Sequence, residues 1–389
     1  MQWQFIFLHS NTEGGEKMIF DMNDVELMKL CGLCRYLPIG LKNKYYNPLF
    51  LAGITGSLRA HRMIKITPNK ECIRLTSLGK GTLADMGFEF PDDARPRKTG
   101  SVYKRRMISA DINVLLNSAR IDVFAENILQ LNCKSKIYIS ALTIRADTKS
   151  KAIAGTRFLG MLKSDETVYI PYYVENEYDG IYPDYEKDTF NNLISNVRGV
   201  KNIKLIFTGK TLEELWGAIF DNEAHKLPRG LKPFSKAFEV MAYNICLMPL
   251  NRDGVLQIKI MTAENYRARI VQCVGAYSTV PNELSYCDGQ IIEENKEGPL
   301  IIAIDMDIKR ILSAITQAVK YNKIPFVVCL KFQHDILVKM LENKITKIRF
   351  IMLLENKINT IFTEFDNDQY KSIPFRTEKG EYIRVNEKI

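Results

Sequence analysis

The sequence predicts an α/β chain of mixed α+β character: a small N-terminal module of helices and a two-stranded hairpin, then a larger α/β domain with a mixed sheet. Three observations predict it. Near the start, helical periodicity gives way to a short pair of alternating segments. A polar, proline-bearing stretch, Pro91-Asp92-Asp93-Ala94-Arg95-Pro96-Arg97-Lys98-Thr99-Gly100, then reads as an exposed linker. From Lys136 onward, strand-like and helical segments interleave. The 389 residues suit two or three domains, and 46% apolar with 25% charged residues is the balance of a chain that folds around a core.

The opening MQWQFIFLHS is apolar but short, with no basic leader and no small-residue cleavage site, so it makes a poor signal peptide. No apolar run reaches the roughly 20 residues of a membrane span. The expected location is cytoplasmic, with no membrane partner. Glu13-Gly14-Gly15-Glu16-Lys17 before Met18 back-translates to a purine-rich ribosome-binding site ahead of a start codon. Residues 1–17 are therefore a candidate non-native extension; the alternative is a glycine-rich turn after a short strand.

Asn23 followed by Glu26 has the capping-box spacing, and Val25, Leu27, Met28, Leu30, Leu33, Cys34 and Leu37 then recur at helical intervals. Cys31 and Cys34 form the one CxxC among eight cysteines; with no second pair to complete a zinc site, buried helix thiols are expected. Pro38 and Gly40 end the helix, and 39–46 reads as a weak middle helix. Asn47-Pro48 opens another, with Leu49, Leu51, Ile54 and Leu58 on one side and Thr55, Ser57, Arg59, His61 and Arg62 largely on the other. Two alternating runs, 63–67 and 72–75, turn through Pro68-Asn69-Lys70. Leu75-Thr76-Ser77-Leu78-Gly79 leads into a last short helix ending near Gly87.

Helix, helix, two-stranded wing and a closing LT-x-x-G over 18–90 resemble a winged helix, which implies duplex DNA as partner. Thr55, Ser57, Arg59 and Arg62 are the groove candidates, and Lys65, Lys70 and Arg74 the phosphate candidates. Lys104-Arg105-Arg106, in a basic linker and helix over 91–135, can add salt-dependent phosphate contacts. The helical pattern of 109–131 is expected to pack that linker onto the second domain. A net charge of +9 agrees with an anionic partner without requiring one. A winged helix used for protein contacts is the alternative.

In the α/β domain, 136–389, strands are expected at 137–142, 203–208, 256–261, 300–306, 326–331 and 348–354. A hairpin over 158–173 turns at Ser164-Asp165-Glu166. Helices are expected at 184–197, at 211–220 capped by Thr211, and at 308–321; no fixed-period repeat is visible. If the strand ending in Ile304-Asp305-Met306-Asp307-Ile308-Lys309 runs straight, Asp305, Asp307 and Lys309 share a face, with Asp288 on a neighbouring strand. A carboxylate followed by D-x-K resembles the restriction-endonuclease-like core, placed at about 250–360. There Asp288 and Asp307 would hold magnesium, and Asp288, Asp305, Asp307 and Lys309 would be catalytic. Cys287 and Ala303 stand where that pattern has proline and glutamate, and Asp305 or Asp307 can equally cap the helix that follows. There is no phosphate-binding glycine loop, no dinucleotide fingerprint and no nucleophile elbow; four histidines without a His-x-His pair argue against the usual nicking relaxase.

A winged helix, a basic linker and a nuclease-like domain with eroded catalytic positions together resemble the replication-relaxation family of plasmid and conjugative-element accessory proteins. The residues carrying the resemblance are Leu75–Gly79, Asp288-Gly289, Ile302–Asp305 and Lys320-Tyr321, with the 160–173 hairpin. The resemblance implies DNA binding at a mobile element's origin or promoter, in plasmid replication, relaxation or mobilisation. It implies a relaxase or replication protein as partner, and no turnover or cofactor of its own. A magnesium-dependent DNA nuclease and a winged-helix transcription regulator are the alternatives.

Overall fold

In the computed structural model the described residues are 6–7, 19–20, 22–45, 52–68, 70–90, 100–132, 136–148, 156–175, 180–220, 232–236, 243–293, 296–342, 347–363, 365, 370–376 and 382–388. They divide into two units, Met1–Ser118 with Asp368–Ile389, and Ala119–Asn367. The helix start at Asn47-Pro48, the turn residue Asn69 and the linker 91–99 lie outside them, as do residues 8–18; Ile6–Phe7 pairs antiparallel with Ile19–Phe20.

In the first unit, helix Met22–Cys34 buries Leu27, Met28, Leu30, Cys31 and Cys34. It begins one residue before Asn23, so the expected capping box falls inside its first turn; Glu26 instead accepts from Asn117 Nδ2 at 2.7 Å. Burial pushes the Cys34 thiol up to about 12, Asn113 pulling the other way; burial and then Cys34 raise Cys31. These are packing thiols, one turn apart. Strand Leu37–Pro38, helix Leu41–Tyr45, helix Ala52–Ala60 and strands Ile64–Ile66 and Cys72–Leu75 follow. The strands form an antiparallel sheet in the order 37–38, 72–75, 64–66.

The L-T-x-x-G segment has a physical basis. Thr76 caps helix Ser77–Asp85, its hydroxyl accepting from Gly79 N at 3.0 Å. A Cβ at Gly79 would collide with the Met63 carbonyl oxygen, so only glycine lets this helix sit against the entry to the hairpin. The basic run 104–106 lies in helix Ser101–Ser118, not in an extended linker. That helix packs in this same unit: Asp111 takes Lys44 Nζ at 2.5 Å and the Tyr45 hydroxyl, and Asn113 reaches Cys34 Sγ at 3.7 Å. Of the segment 109–131, the part up to Ser118 belongs to the first unit, where its buried face meets helices Met22–Cys34 and Leu41–Tyr45, and the rest belongs to the second unit.

The second unit holds two mixed sheets built by one repeated scheme. In the first, hairpin Gly160–Ser164/Thr167–Tyr173 is followed by helix Pro183–Ile194, parallel strand Asn202–Gly209, helix Leu212–Phe220 and parallel strand Asn244–Pro249. In the second, hairpin Gly289–Glu293/Lys296–Ile302 is followed by helix Ile308–Lys320, parallel strand Phe326–Leu330, helix His334–Met340 and parallel strand Arg349–Leu353. The first sheet adds strand Lys136–Ser140 antiparallel to its hairpin. Edge strand Asn244–Pro249 meets the second half through a bridge between Cys246 and Asp307, and Leu247 N donates to Met306 O at 3.3 Å.

Two expectations fail here. The segment 256–261 is not a strand but the end of helix Arg252–Met261, started by Asn251, whose side chain accepts from Asp253 N at 2.9 Å and Gly254 N at 3.2 Å. The apolar–polar alternation of Leu256-Gln257-Ile258-Lys259-Ile260 hid that cap, because Gln257 is itself buried and donates to Leu247 O at 2.8 Å. The strand expected over 300–306 stops at Ile302: a turn closed by Met306 N donating to Ala303 O at 2.9 Å follows, with Met306 at a left-handed φ of 48°, and Asp307 caps the next helix.

Candidate functional site

Several of the first unit's exposed cations lie around one helix end and one hairpin. Arg59, His61 and Arg62 are exposed at the end of helix Ala52–Ala60. Arg62 has φ 59°, and Met63 N donates to Leu58 O at 2.8 Å across it. This is the helix-closing position that glycine usually fills, so an arginine there carries a backbone cost. Lys65 is exposed, and Lys70 is exposed in the turn with φ 57°; the Thr67 hydroxyl ties that turn by accepting from Cys72 N at 3.0 Å. Lys104 and Arg105 are exposed on their helix. Thr55, Ser57 and Arg106 are half-buried. Arg74, opposite Lys65 in the hairpin register, is half-buried too, its guanidinium 4.3 Å from the centre of the Tyr36 ring. It lies within strand Cys72–Leu75, not in the hairpin's turn.

In the second unit, Asp288, Asp305 and Asp307 do converge, at the junction of the two sheets, but not on one strand face. Asp288 precedes strand Gly289–Glu293, and its Oδ2 accepts from Ile302 N at 2.7 Å. Asp305 sits in the turn after Ile302, and Asp307 caps helix Ile308–Lys320 by accepting from Arg310 N at 3.3 Å. Asp305 is 1% and Asp307 0% exposed, so neither carboxylate meets solvent.

Three cations from three different elements close on them. Lys204, from the middle of strand Asn202–Gly209, lies 3.2 Å from Asp305 Oδ2 and 3.2 Å from Asp307 Oδ2. Arg267, in the first turn of helix Tyr266–Cys273, bridges Asp288 Oδ1 at 3.0 Å and Asp305 Oδ2 at 2.6 Å. Arg310 holds Asp288 Oδ2 at 2.9 Å and Asp305 Oδ1 at 3.2 Å, and also donates to the Ile302 carbonyl. The Tyr266 hydroxyl reaches Asp305 Oδ2 at 3.3 Å and accepts from Arg267 Nε at 2.9 Å. Three carboxylates thus face three cations, a formal balance of zero.

Burial opposes ionisation of Asp305, yet Arg310, Lys204 and Arg267 together hold its carboxyl well below the ordinary aspartate range. Burial likewise works against the Lys204 ammonium, and Asp305 reverses it, leaving that lysine above its ordinary value. Lys309 is partly exposed in the helix's first turn; burial lowers its pKa against the pull of Asp307. The expected D-x-K face is therefore absent: after the kink at Met306, alternate residues no longer point one way.

Among the described residues, the group with metal-ligand spacing is Cys246, Asp305 and Asp307, whose ligand atoms lie within 4.8 Å of one another. Asp288, expected to share a magnesium ion with Asp307, is outside it: Arg267 and Arg310 take both its oxygens. The Lys204 ammonium bridges the very oxygens of Asp305 and Asp307 that a cation would need, and burial pushes the Cys246 thiol well above its ordinary value. The donor set fits a lysine better than a divalent ion.

Lys204, Tyr266, Arg267 and Arg310 are not singled out by the sequence pattern. Arg310 carries a visible signal, three residues after Asp307 and four before the buried Ala314, a charge on a face that packs. Lys204, among Ile203, Leu205 and Ile206, is a lysine inside an apolar strand. No protein-family model, curated protein or solved structure matches this chain. Among the described residues, no helix is long and apolar enough to cross a membrane.

Proposed function

We propose that this chain is a DNA-binding accessory protein of the replication-relaxation type. Its first unit would be a winged helix that docks on duplex DNA at a mobile element, and its α/β unit would do no chemistry on the DNA. The observation that supports this reading is the order helix, strand, helix, helix, strand, strand, with strand order 37–38, 72–75, 64–66 and Arg59, Arg62, Lys65 and Lys70 exposed around it. A helix ending in arginines suits the major groove, and a lysine-bearing hairpin suits the flanking phosphates. The neutral, buried cluster at the sheet junction supports the non-catalytic half, since its carboxylates are already bound to cations and closed to a substrate.

The test is duplex binding by the full chain carrying Arg59→Ala with Arg62→Gly, a glycine being suited to the left-handed backbone at that position. Affinity is expected to fall by at least ten-fold at physiological salt, each arginine-to-base pairing being worth about 1–3 kcal/mol. Unchanged affinity would reject this helix as the reader. The Cys246, Asp305 and Asp307 group favours a second reading, a metal-dependent nuclease. Magnesium-dependent cleavage of plasmid DNA that disappears in Asp307→Asn would establish it over the first.

A further inference from the structure

The two halves of the second unit repeat one another down to single hydrogen bonds. Ahead of each hairpin the same bond closes onto its second strand, from Leu159 N to Pro171 O in one half and from Asp288 N to Leu300 O in the other, both at 2.8 Å. After each hairpin Val174 N donates to Thr208 O and Ala303 N to Val328 O, again at 2.8 Å. The strand registers then make Leu247, opposite Phe207, the counterpart of Phe350, opposite Val327. In the same register Pro249 corresponds to Met352. Asn251 corresponds to Leu354, each standing just before the next helix, Arg252–Met261 or Glu355–Ile361.

The last strands of the two halves, both sheet edges, differ in what closes them. Asn244–Pro249 is buried over nearly its whole length, and its outward Leu247 N donates to Met306 O at 3.3 Å. In Arg349–Leu353 the Arg349 N points inward, to Pro325 O at 3.0 Å, so the backbone groups of Phe350 and Met352 point outward by alternation. Among the described residues no backbone group pairs with them. The side chains differ too. Pro249 has no N–H to offer a neighbouring strand, whereas its counterpart Met352 has one and is 48% exposed. Asn251 caps its helix through two backbone N–H groups, whereas Leu354 makes no cap and is 54% exposed. Leucine is a poor N-cap, so this position gives up helix stability to present an apolar side chain. With Ile348 and Phe350, half-buried against the core, Met352 and Leu354 form one apolar row at alternate positions.

We infer that this edge is an interface with a second copy of the chain, the two Arg349–Leu353 strands pairing antiparallel about a two-fold axis at Ile351. In that register Phe350 of one copy faces Met352 of the other. Both carry outward backbone groups, so each such pair exchanges two hydrogen bonds. Ile348 faces Leu354 in the same way, and Arg349 faces Leu353, so no like charges are set opposite one another. The row is thus complementary to its own reverse, which favours a second copy over a foreign peptide. A two-fold contact uses the same patch twice and needs no other surface. It also continues an interface already present within the chain, where the second half closes the counterpart edge at Cys246 and Leu247.

The experiment is sedimentation velocity of the full chain across a concentration series, in the absence of DNA. The wild type should be a dimer that dissociates on dilution. Met352→Lys and Leu354→Asn should each raise the dimer dissociation constant by about ten-fold or more, lysine being a residue that keeps edge strands apart. Leu354→Asn should also raise the thermal midpoint measured where it and the wild type are both monomeric, since it supplies the cap that Asn251 gives the counterpart helix. A variant that is more stable yet dissociates separates loss of the interface from loss of the fold. Four results overturn the assignment: a wild type that is monomeric throughout, one that assembles beyond a dimer, a Met352→Lys protein as dimeric as the wild type, or a Leu354→Asn monomer less stable than the wild type's. No arm contains DNA, so the DNA-binding reading stands or falls on its own test.

Discussion

Arg59, Arg62, Lys65 and Lys70 in the first unit are exposed around one helix end and one hairpin, whereas in the second Lys204 and Arg310 are drawn into the protein and, with the half-buried Arg267, matched to Asp288, Asp305 and Asp307. The same residue types therefore do different work. An exposed cation keeps its water and gives it up only to a partner that brings negative charge. A buried one has already lost its water, and its carboxylates must be held in place to compensate. On the proposed DNA-binding reading, removing charge from the first region should cost binding; removing it from the second should cost folding.

The largest expected effect is in the second region. Asp305→Ala leaves Lys204, Arg267 and Arg310 with two carboxylates, and should lower unfolding free energy by about 3–5 kcal/mol, the usual penalty for orphaning a buried charge. Chemical denaturation measures it. Replacing Lys204 by Met together with Asp305 by Asn should cost less than the two single changes summed, which is the signature of a coupled pair. A stabilising Asp305→Ala would instead mark a site held under electrostatic strain for chemistry. The same carboxyl sets an acid limit. Its folded pKa lies well below the unfolded value, so its contribution is present above about pH 4 and is lost as pH falls further.

Glu186 should show the opposite slope. It is 0% exposed, and burial raises its carboxyl to about 7, against the hydrogen bonds from Arg157 N and the Tyr172 hydroxyl. Between about pH 4.5 and 7 the folded state holds a proton that the unfolded state has released, so stability falls as pH rises through that window. Glu186→Gln should flatten the profile there, removing a swing of about 3 kcal/mol. A profile as steep as the wild type's would contradict the assignment.

A smaller effect belongs to the first unit's scaffold. Thr76→Ala removes the cap on helix Ser77–Asp85 and should cost about 1 kcal/mol. Thermal unfolding reads it. Smallest of all, Arg59→Ala with Arg62→Gly should not lower stability, because glycine at the left-handed helix-closing position relieves the backbone cost that Arg62 carries.

Much of this arrangement is legible in the residues. The hairpin at Asp165-Glu166 follows from turn residues between alternating runs, and helix Leu212–Phe220 follows from Thr211, whose hydroxyl does accept from Glu214 N at 3.1 Å. Asp288 and Asp305 are drawn to one place, as the spacing suggests. What the residues conceal is tertiary. Lys204 reaches Asp305 across 101 positions and Arg267 across 38, and no local pattern announces such partners. The repeated hairpin–helix–strand–helix–strand scheme leaves no period because the two copies share topology and not spacing: helix Leu212–Phe220 is separated from strand Asn244–Pro249 by a long connection, whereas helix His334–Met340 is close to strand Arg349–Leu353. The strand that would have aligned Asp305, Asp307 and Lys309 ends at Ile302, and those residues follow in and after a turn through the left-handed Met306.

The contrast between the two regions is tested most directly by the salt dependence of duplex binding. Log affinity would be followed by fluorescence anisotropy across a salt series for the wild type, for a variant neutralised at Arg59, Arg62, Lys65 and Lys70, and for Lys309→Ala in the second unit. The slope should shrink by about 0.9 for each phosphate that the first variant leaves without its cation, and stay at the wild-type value in Lys309→Ala. An unchanged slope in the first variant, or a reduced one in Lys309→Ala, would contradict the account.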